Sequence, residues 1–67
     1  MKLIDINGKK RNVKSASVIL HDTPDVAGNM VKEPYVEVVI EGKQSTWTEW
    51  WPLADFEEYN PGVNLEG

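Results

Sequence analysis

Hydrophobic and polar residues alternate most clearly over residues 35–41. Val36, Val38 and Ile40 fall on one side of this segment and mostly polar residues on the other, which is the period-two pattern of a strand with one buried face. Gly42-Lys43 follows and predicts a two-residue hairpin turn. In the register set by that turn, Val38 lies opposite Trp47 on the next strand, and that strand runs on to Trp51.

The same register carries Glu49 onto the buried face, where an unpaired carboxylate is costly. A β-bulge near Glu49 removes the conflict. It places Trp47 and Trp50 in the core and turns Trp51 outward. The rival is an unbulged strand, with Trp47 and Trp51 inside, Trp50 outside and Glu49 accepted at the rim.

A second hairpin is predicted at the start of the chain. Residues 2–6 form a short strand, Asn7-Gly8 the turn, and residues 9–21 the partner strand. Asp5 then faces Lys10 across a two-residue loop or Arg11 across a three-residue loop, and either arrangement pairs opposite charges. The core face of the longer strand is assigned to its alternate apolar positions, Ala16, Val18 and Leu20.

Proline and glycine interrupt residues 22–34, so this segment is predicted to be a mobile loop. Residues 52–60 read as a short helix with Pro52 at its first position, Asp55 in its first turn and Asn60-Pro61-Gly62 as its stop. The fold expected is all-β: a small antiparallel SH3-like barrel or bent meander sheet, with one C-terminal helix. One domain is expected over residues 1–62, followed by a frayed tail over 63–67. The runner-up is an open α+β sheet.

The segment Trp50-Trp51-Pro52-Leu53 and the following Phe56 make a Trp-x-Pro-Leu-x-x-Phe close after the strands. In this order of elements the chain broadly resembles small SH3-like barrels. The adjacent tryptophans are similar to those of SH3 domains, but the acidic loop before them and the proline-tyrosine after them are missing. No functional residue is therefore transferred from that family.

Composition narrows the possible chemistry. The 67 residues include no cysteine and a single histidine, His21, so a disulfide framework and Cys/His metal sites are excluded and no cofactor is expected. Asp22, Asp25 and Glu33 near His21 lack any recognised ligand spacing, and Asp22 and Asp25 are read as turn formers. Since no nucleophile has a positioned base, an enzyme is not expected. Met1 to Asp5 cannot open a signal peptide, so the expected location is the cytoplasm, or a virion if the source is a phage.

Charge is distributed unevenly along the chain. Residues 1–20 carry a net charge of +4, and residues 21–67 carry −8. The basic cluster lies at the first hairpin and comprises Lys9, Lys10, Arg11 and Lys14. These residues have two interpretations. The structural interpretation is a solvated strand edge that lysine protects against pairing. The functional interpretation is contact with nucleic-acid phosphates.

Aromatic residues supply the other candidate surface. If Trp51 turns outward beside Tyr35 and Val39, the three form an exposed apolar patch typical of a partner surface. The alternative is that all the aromatic residues pack in the core and rim. The sequence thus favours a non-catalytic interaction or accessory module, of the kind a phage or other mobile element carries. The expected partner is a protein, either another protein or a second copy of the chain in a homo-oligomer. A small nucleic-acid-binding barrel is the alternative, and no membrane association is expected.

Overall fold

Four antiparallel strands follow one another in chain order and curl into a half-barrel in a computed structural model, which describes residues 1–65. The elements are β1 (Lys2–Ile4), β2 (Lys10–Pro24), β3 (Met30–Glu41), β4 (Thr46–Pro52) and α1 (Leu53–Tyr59). The prediction of a small antiparallel all-β fold with a short C-terminal helix is confirmed. No helix among these residues is long and apolar enough to cross a membrane.

One face of the curled sheet, here called the inner face, holds the core. The alternation of residues 35–41 is confirmed, because Val36, Val38 and Ile40 are all at most 2% exposed. The other buried apolar side chains come from every remaining element: Leu3, Val13, Trp51 and Phe56. The Phe56 ring lies 6.3 Å from that of Trp51, so the helix closes one end of the half-barrel.

The turn at Asn7-Gly8 is confirmed, but both predicted registers are wrong. Asp5 faces Lys9, because the Asp5 N–H donates to the Lys9 carbonyl at 2.9 Å across a three-residue loop. Gly8 occupies the left-handed region with φ of +78°, where a side chain is disfavoured. The Asp5 carboxylate also accepts the N–H groups of Asn7 and Lys9, both at 2.9 Å, so this side chain organises the whole turn.

The predicted mobile loop over residues 22–34 is instead the end of a long hairpin. β2 and β3 pair continuously from Ser15 opposite Val39 to Pro24 opposite Met30, and only five residues connect the strands. Asp25 makes the same turn as Asp5: its carboxylate accepts the N–H groups of Ala27 and Asn29. The end of this hairpin beyond the last residue paired with β4, residues 20–34, has only two strands and is here called the arm; it extends a fold that is 41 Å long.

A register shift between Val13 and Ser15 divides β2. Val13 is buried against Ile40, and beyond the shift Ala16 and Val18 continue on the inner face. Ala16 packs against the core, as predicted, but Leu20 is 62% exposed. The assignment of Leu20 to the core is wrong, because Leu20 lies in the arm, where no second layer covers the inner face.

The β3–β4 register differs from the predicted one by two residues. The Gly42 N–H donates to the Ser45 carbonyl at 2.9 Å, which moves the hairpin tip to residues 43–44 and sets Ile40 opposite Trp47. A Cβ on Gly42 would lie 2.7 Å from the Trp47 ring. Glycine is therefore needed there to leave room for this ring, and not to form the turn. The pairing is regular throughout β4, and the predicted bulge near Glu49 does not form.

The helix stop at Asn60 is confirmed, and this residue has a second task. Its side chain is buried, accepts the Ile4 N–H at 2.7 Å and donates to the Ile4 carbonyl at 2.7 Å. The Asn60 amide thus takes the place of a neighbouring strand beside β1. Pro52 ends β4 and precedes the first helical residue. Of the predicted frayed tail, Leu65 packs against the core, and residues 66–67 lie outside the described residues.

Candidate interaction surface

Three aromatic rings meet on the outer face, the side of the sheet opposite the core. They come from three strands: His21 from β2, Tyr35 from β3 and Trp50 from β4. The His21 ring lies 5.1 Å from that of Tyr35 and 6.0 Å from that of Trp50, measured between centroids. Trp50 is 48% exposed. These residues, here called the aromatic patch, lie side by side on a face that the core does not use.

The strand register explains why these rings converge. Residues opposite one another in an antiparallel pair point to the same face, and alternate residues of one strand do so as well. Tyr35 therefore shares the outer face with Val39, and Trp50 joins them because it faces Glu37 across β3 and β4. His21 enters from β2, where it faces Glu33.

The prediction that Trp51 is exposed beside Tyr35 and Val39 is wrong. Trp51 is 3% exposed and lies on the inner face opposite Val36. Without the bulge, Trp47 and Trp51 lie on the inner face and Trp50 on the outer face, as in the unbulged alternative. Trp50 is therefore the tryptophan that lies near Tyr35. Tyr35 and Val39 do lie on the outer face, both half-buried. Their role in binding a partner stays a prediction.

Carboxylates surround the aromatic patch. Glu33, Glu37 and Glu41 occupy every fourth position of β3 on the outer face, with Glu33 and Glu37 on either side of Tyr35 and Glu41 farther along the strand. Glu37 accepts the Trp50 indole N–H at 3.1 Å, which orients the ring along the sheet. The aromatic patch is therefore flanked by negative charge. A cationic group that approaches it is attracted by the faces of the aromatic rings and by the carboxylates beside them.

The inner face contains a polar cluster at the open seam between β1 and β4. The Arg11 guanidinium lies between two carboxylates, 3.0 Å from Asp5 and 2.9 Å from Glu49. Glu49 also accepts the indole N–H groups of Trp47 at 2.8 Å and Trp51 at 3.0 Å. This arrangement, here called the Arg11 cluster, joins β2 to β4 and to the loop that follows β1.

The Arg11 cluster shifts the pKa of each of its charged members. The backbone hydrogen bond from Lys9 lowers the pKa of Asp5 against the effect of burial, and the side-chain hydrogen bond from Arg11 and the backbone hydrogen bond from Asn7 lower it further. Burial has the largest single effect on the pKa of Glu49 and raises it, but the bonds from Trp47, Trp51 and Arg11 outweigh it, so this pKa is lowered. Asp5 and then Glu49 raise the pKa of Arg11. All three groups are thus held in their charged forms.

The basic cluster predicted from the sequence does not form one surface. Arg11 faces inward and is bound to two carboxylates. Lys9, Lys10 and Lys14 are exposed, but Lys9 lies at the loop, Lys10 in the pairing with β1 and Lys14 at the shift in β2. The arrangement leaves separated lysines along the first hairpin.

Of the three carboxylates predicted near His21, only Glu33 lies beside it, as its cross-strand neighbour on the outer face. Asp22 follows His21 in an extended strand and points to the other face, where it pairs with Lys32 at 3.2 Å. Asp25 belongs to the turn, as predicted, whereas Asp22 lies within β2. Residues 1–65 contain no group of three or more His, Cys, Asp or Glu side chains placed to hold a metal ion.

Two features, one on each face of the sheet, do not follow from the sequence pattern. One was His21 as an aromatic neighbour of Tyr35 and Trp50, because residues 22–34 were not expected to extend the sheet. The other was the partner of Glu49, although Arg11 and Asp5 stood out as an opposite-charge pair. Comparison with protein-family models, with curated proteins and with solved structures yields no match, so the surface is interpreted from its own geometry.

Proposed function

We propose that the protein is a non-catalytic interaction module whose outer face binds an extended, positively charged segment of a protein partner. The proposal rests on one observation: His21, Tyr35 and Trp50 form a ring cluster on the face away from the core, with Trp50 48% exposed. Tryptophan and tyrosine are enriched among residues that dominate binding energy.

The positive charge of the partner follows from the surroundings of the aromatic patch. Three glutamates of β3 share its face, and residues 21–67 as a whole carry a net charge of −8. An arginine or lysine above Trp50 gains a cation–π interaction and reaches Glu37 alongside it. Complementary potentials of this kind raise the association rate and select against acidic partners.

The same features argue against the alternative of a nucleic-acid-binding barrel. Phosphate affinity depends on clustered cations that release counterions, and single-stranded nucleic acids need aromatic platforms within a positive groove. Here the aromatic patch lies among carboxylates, and Arg11 is engaged by Asp5 and Glu49. Contacts with phosphates would therefore depend on the separated lysines of the first hairpin.

Two synthetic peptides test the proposal. Each is an extended decapeptide of alternating charged and apolar residues, one with arginine and its twin with glutamate. We expect the arginine peptide to bind and to shift the NMR signals of the Tyr35 amide and the Trp50 indole, and the glutamate peptide not to bind. Stronger binding of the glutamate peptide, or of a single-stranded RNA oligomer at physiological salt, would contradict the proposal.

A matched pair of tryptophan variants separates the two faces. Trp50 and Trp47 are 48% and 44% exposed, and each donates its indole N–H to a glutamate, but Trp50 lies on the outer face and Trp47 on the inner. Trp50→Ala should weaken binding of the arginine peptide by about 30-fold, as for a hot-spot residue. Trp47→Ala should leave the affinity of the folded protein unchanged, and an equal loss in both variants would place the binding site elsewhere.

A further inference from the structure

The outer edge of β2 is an unpaired strand edge over much of its length. β1 covers β2 only at residues 10–12, with Met1 bonded to Val13 beyond them. From Ser15 to Pro24, β3 is the only strand that pairs with β2 among residues 1–65. Such an edge presents free N–H and C=O groups to another chain.

The register identifies which backbone groups point outward. Asp25 donates to the Asn29 carbonyl, and bonding alternates along an antiparallel pair, so the odd-numbered residues of β2 from 15 to 23 bond to β3. The even-numbered residues Ala16, Val18, Leu20 and Asp22 therefore direct their N–H and C=O groups toward the free edge.

The middle of this edge, residues 15–20, lacks the usual protection against pairing, which is confined to the register shift and Lys14 at one end and Pro24 at the other. Natural edges carry lysine, proline or a bulge, whereas residues 15–20 read Ser-Ala-Ser-Val-Ile-Leu. The charges stand only at the two ends: Lys14 before this stretch and Asp22 after it. Both side chains are exposed, and Asp22 also pairs with Lys32 of its own copy at 3.2 Å.

We infer that two copies of the chain join along residues 14–22 of this edge, antiparallel and about a twofold axis at Val18, with the two β2 strands parting beyond Asp22, where β1 covers the other copy. Lys14 and Asp22 each lie four residues from Val18, so in this register Lys14 of each copy faces Asp22 of the other. The uncharged positions are complementary in size: Leu20, 62% exposed in the single chain, faces Ala16 of the second copy, and Ile19 faces Ser17. Val18 pairs with itself through its own N–H and C=O groups. A shift by one residue of either strand would lose both charge pairs.

A proline at the twofold axis tests the pairing of the edges. The Val18 N–H points away from β3, so Val18→Pro removes a bond to the second copy while the ladder with β3 is kept, which is the position where strands tolerate proline. The wild-type protein at high micromolar concentration should sediment with twice the 7.6 kDa mass of the chain, Val18→Thr likewise, and Val18→Pro as a monomer. A monomeric wild type, or a Val18→Pro variant that dimerises equally well, would overturn the inference.

Charge reversal supplies a second test that does not depend on the proline variant folding. Lys14→Glu places glutamate against Asp22 of the other copy, and Asp22→Lys places lysine against Lys14, so each variant alone should dimerise about tenfold more weakly or worse. Mixed together, the two variants regain opposite charges at both contacts and should form a heterodimer. Circular dichroism of each variant checks that it is folded. Folded variants that do not associate on mixing would exclude this register.

Discussion

Substitution of Glu49 by glutamine tests whether the Arg11 cluster stabilises the fold. The carboxylate accepts hydrogen bonds of 2.8, 3.0 and 2.9 Å from Trp47, Trp51 and Arg11. Glutamine keeps one acceptor oxygen, loses the charge, and turns an NH₂ group toward at least one of these donors. Hydrogen bonds to charged groups contribute about 1.5–3 kcal/mol each.

Solvent reduces the expected effect, because the Glu49 side chain is 31% exposed. We therefore expect Glu49→Gln to lower the free energy of unfolding by about 2 kcal/mol. For a domain of this size that corresponds to a fall in Tm of about 8–16 °C. Urea unfolding followed by far-UV circular dichroism measures the loss, and an unchanged m-value shows that the folded state keeps its compactness.

Glu37→Gln is the matched control for this experiment. Glu37 faces Trp50 across the same pair of strands and accepts its indole N–H at 3.1 Å, but it lies on the outer face and has no arginine partner. Glutamine can accept the same bond, so the change should stay within about 0.5 kcal/mol. If Glu49→Gln costs no more than Glu37→Gln, the cluster does not stabilise the fold in the way argued above.

Three further predictions concern the same structure. Trp51→Ala should lower the free energy of unfolding by about 3–5 kcal/mol, because the ring is 3% exposed and lies against Phe56. Trp50→Ala should lower it by about 1–2 kcal/mol. A larger loss for Trp50→Ala than for Trp51→Ala in urea unfolding would contradict the register of β4. Folding lowers the pKa of both Asp5 and Glu49, so their contribution is complete above their ordinary pKa values and is lost as the pH falls below about 4. Acid titration of stability should show this decline, and it should be shallower in Glu49→Gln. Asn60→Ala leaves the N–H and C=O of one β1 residue unpaired, so stability should fall by about 2–3 kcal/mol and the amide of that residue should exchange faster; unchanged exchange would exclude the bond.

The sequence was most informative where a periodic pattern coincided with burial. The alternation at Val36, Val38 and Ile40 predicted a strand with one buried face, and all three are buried. The same reasoning failed at Glu49, because pattern analysis treats a buried charge in isolation. Its partner Arg11 lies 38 residues away, and only the curl of the sheet brings them together.

The prediction for the arm, a mobile loop, was wrong for a different reason. The two turns that begin with Asp5 and Asp25 share the sequence Asp-x-x-Gly, with the glycine in the left-handed region and the aspartate accepting two backbone N–H groups. The signal for a second hairpin was therefore present in the sequence. It was obscured by Pro24 and Pro34, which were read as breaks in regular structure although edge strands accommodate proline.

The bond between Asn60 and β1 has a consequence for the order in which the chain can fold. The two residues it joins are 56 positions apart, so this contact is among the most costly to close. The hairpins are local and can form as soon as their own residues emerge from the ribosome, N-terminal ones first. The outer edge of β1 stays open until residue 60 has been synthesised and α1 has docked. During biosynthesis, the strand made first is thus the last to be protected.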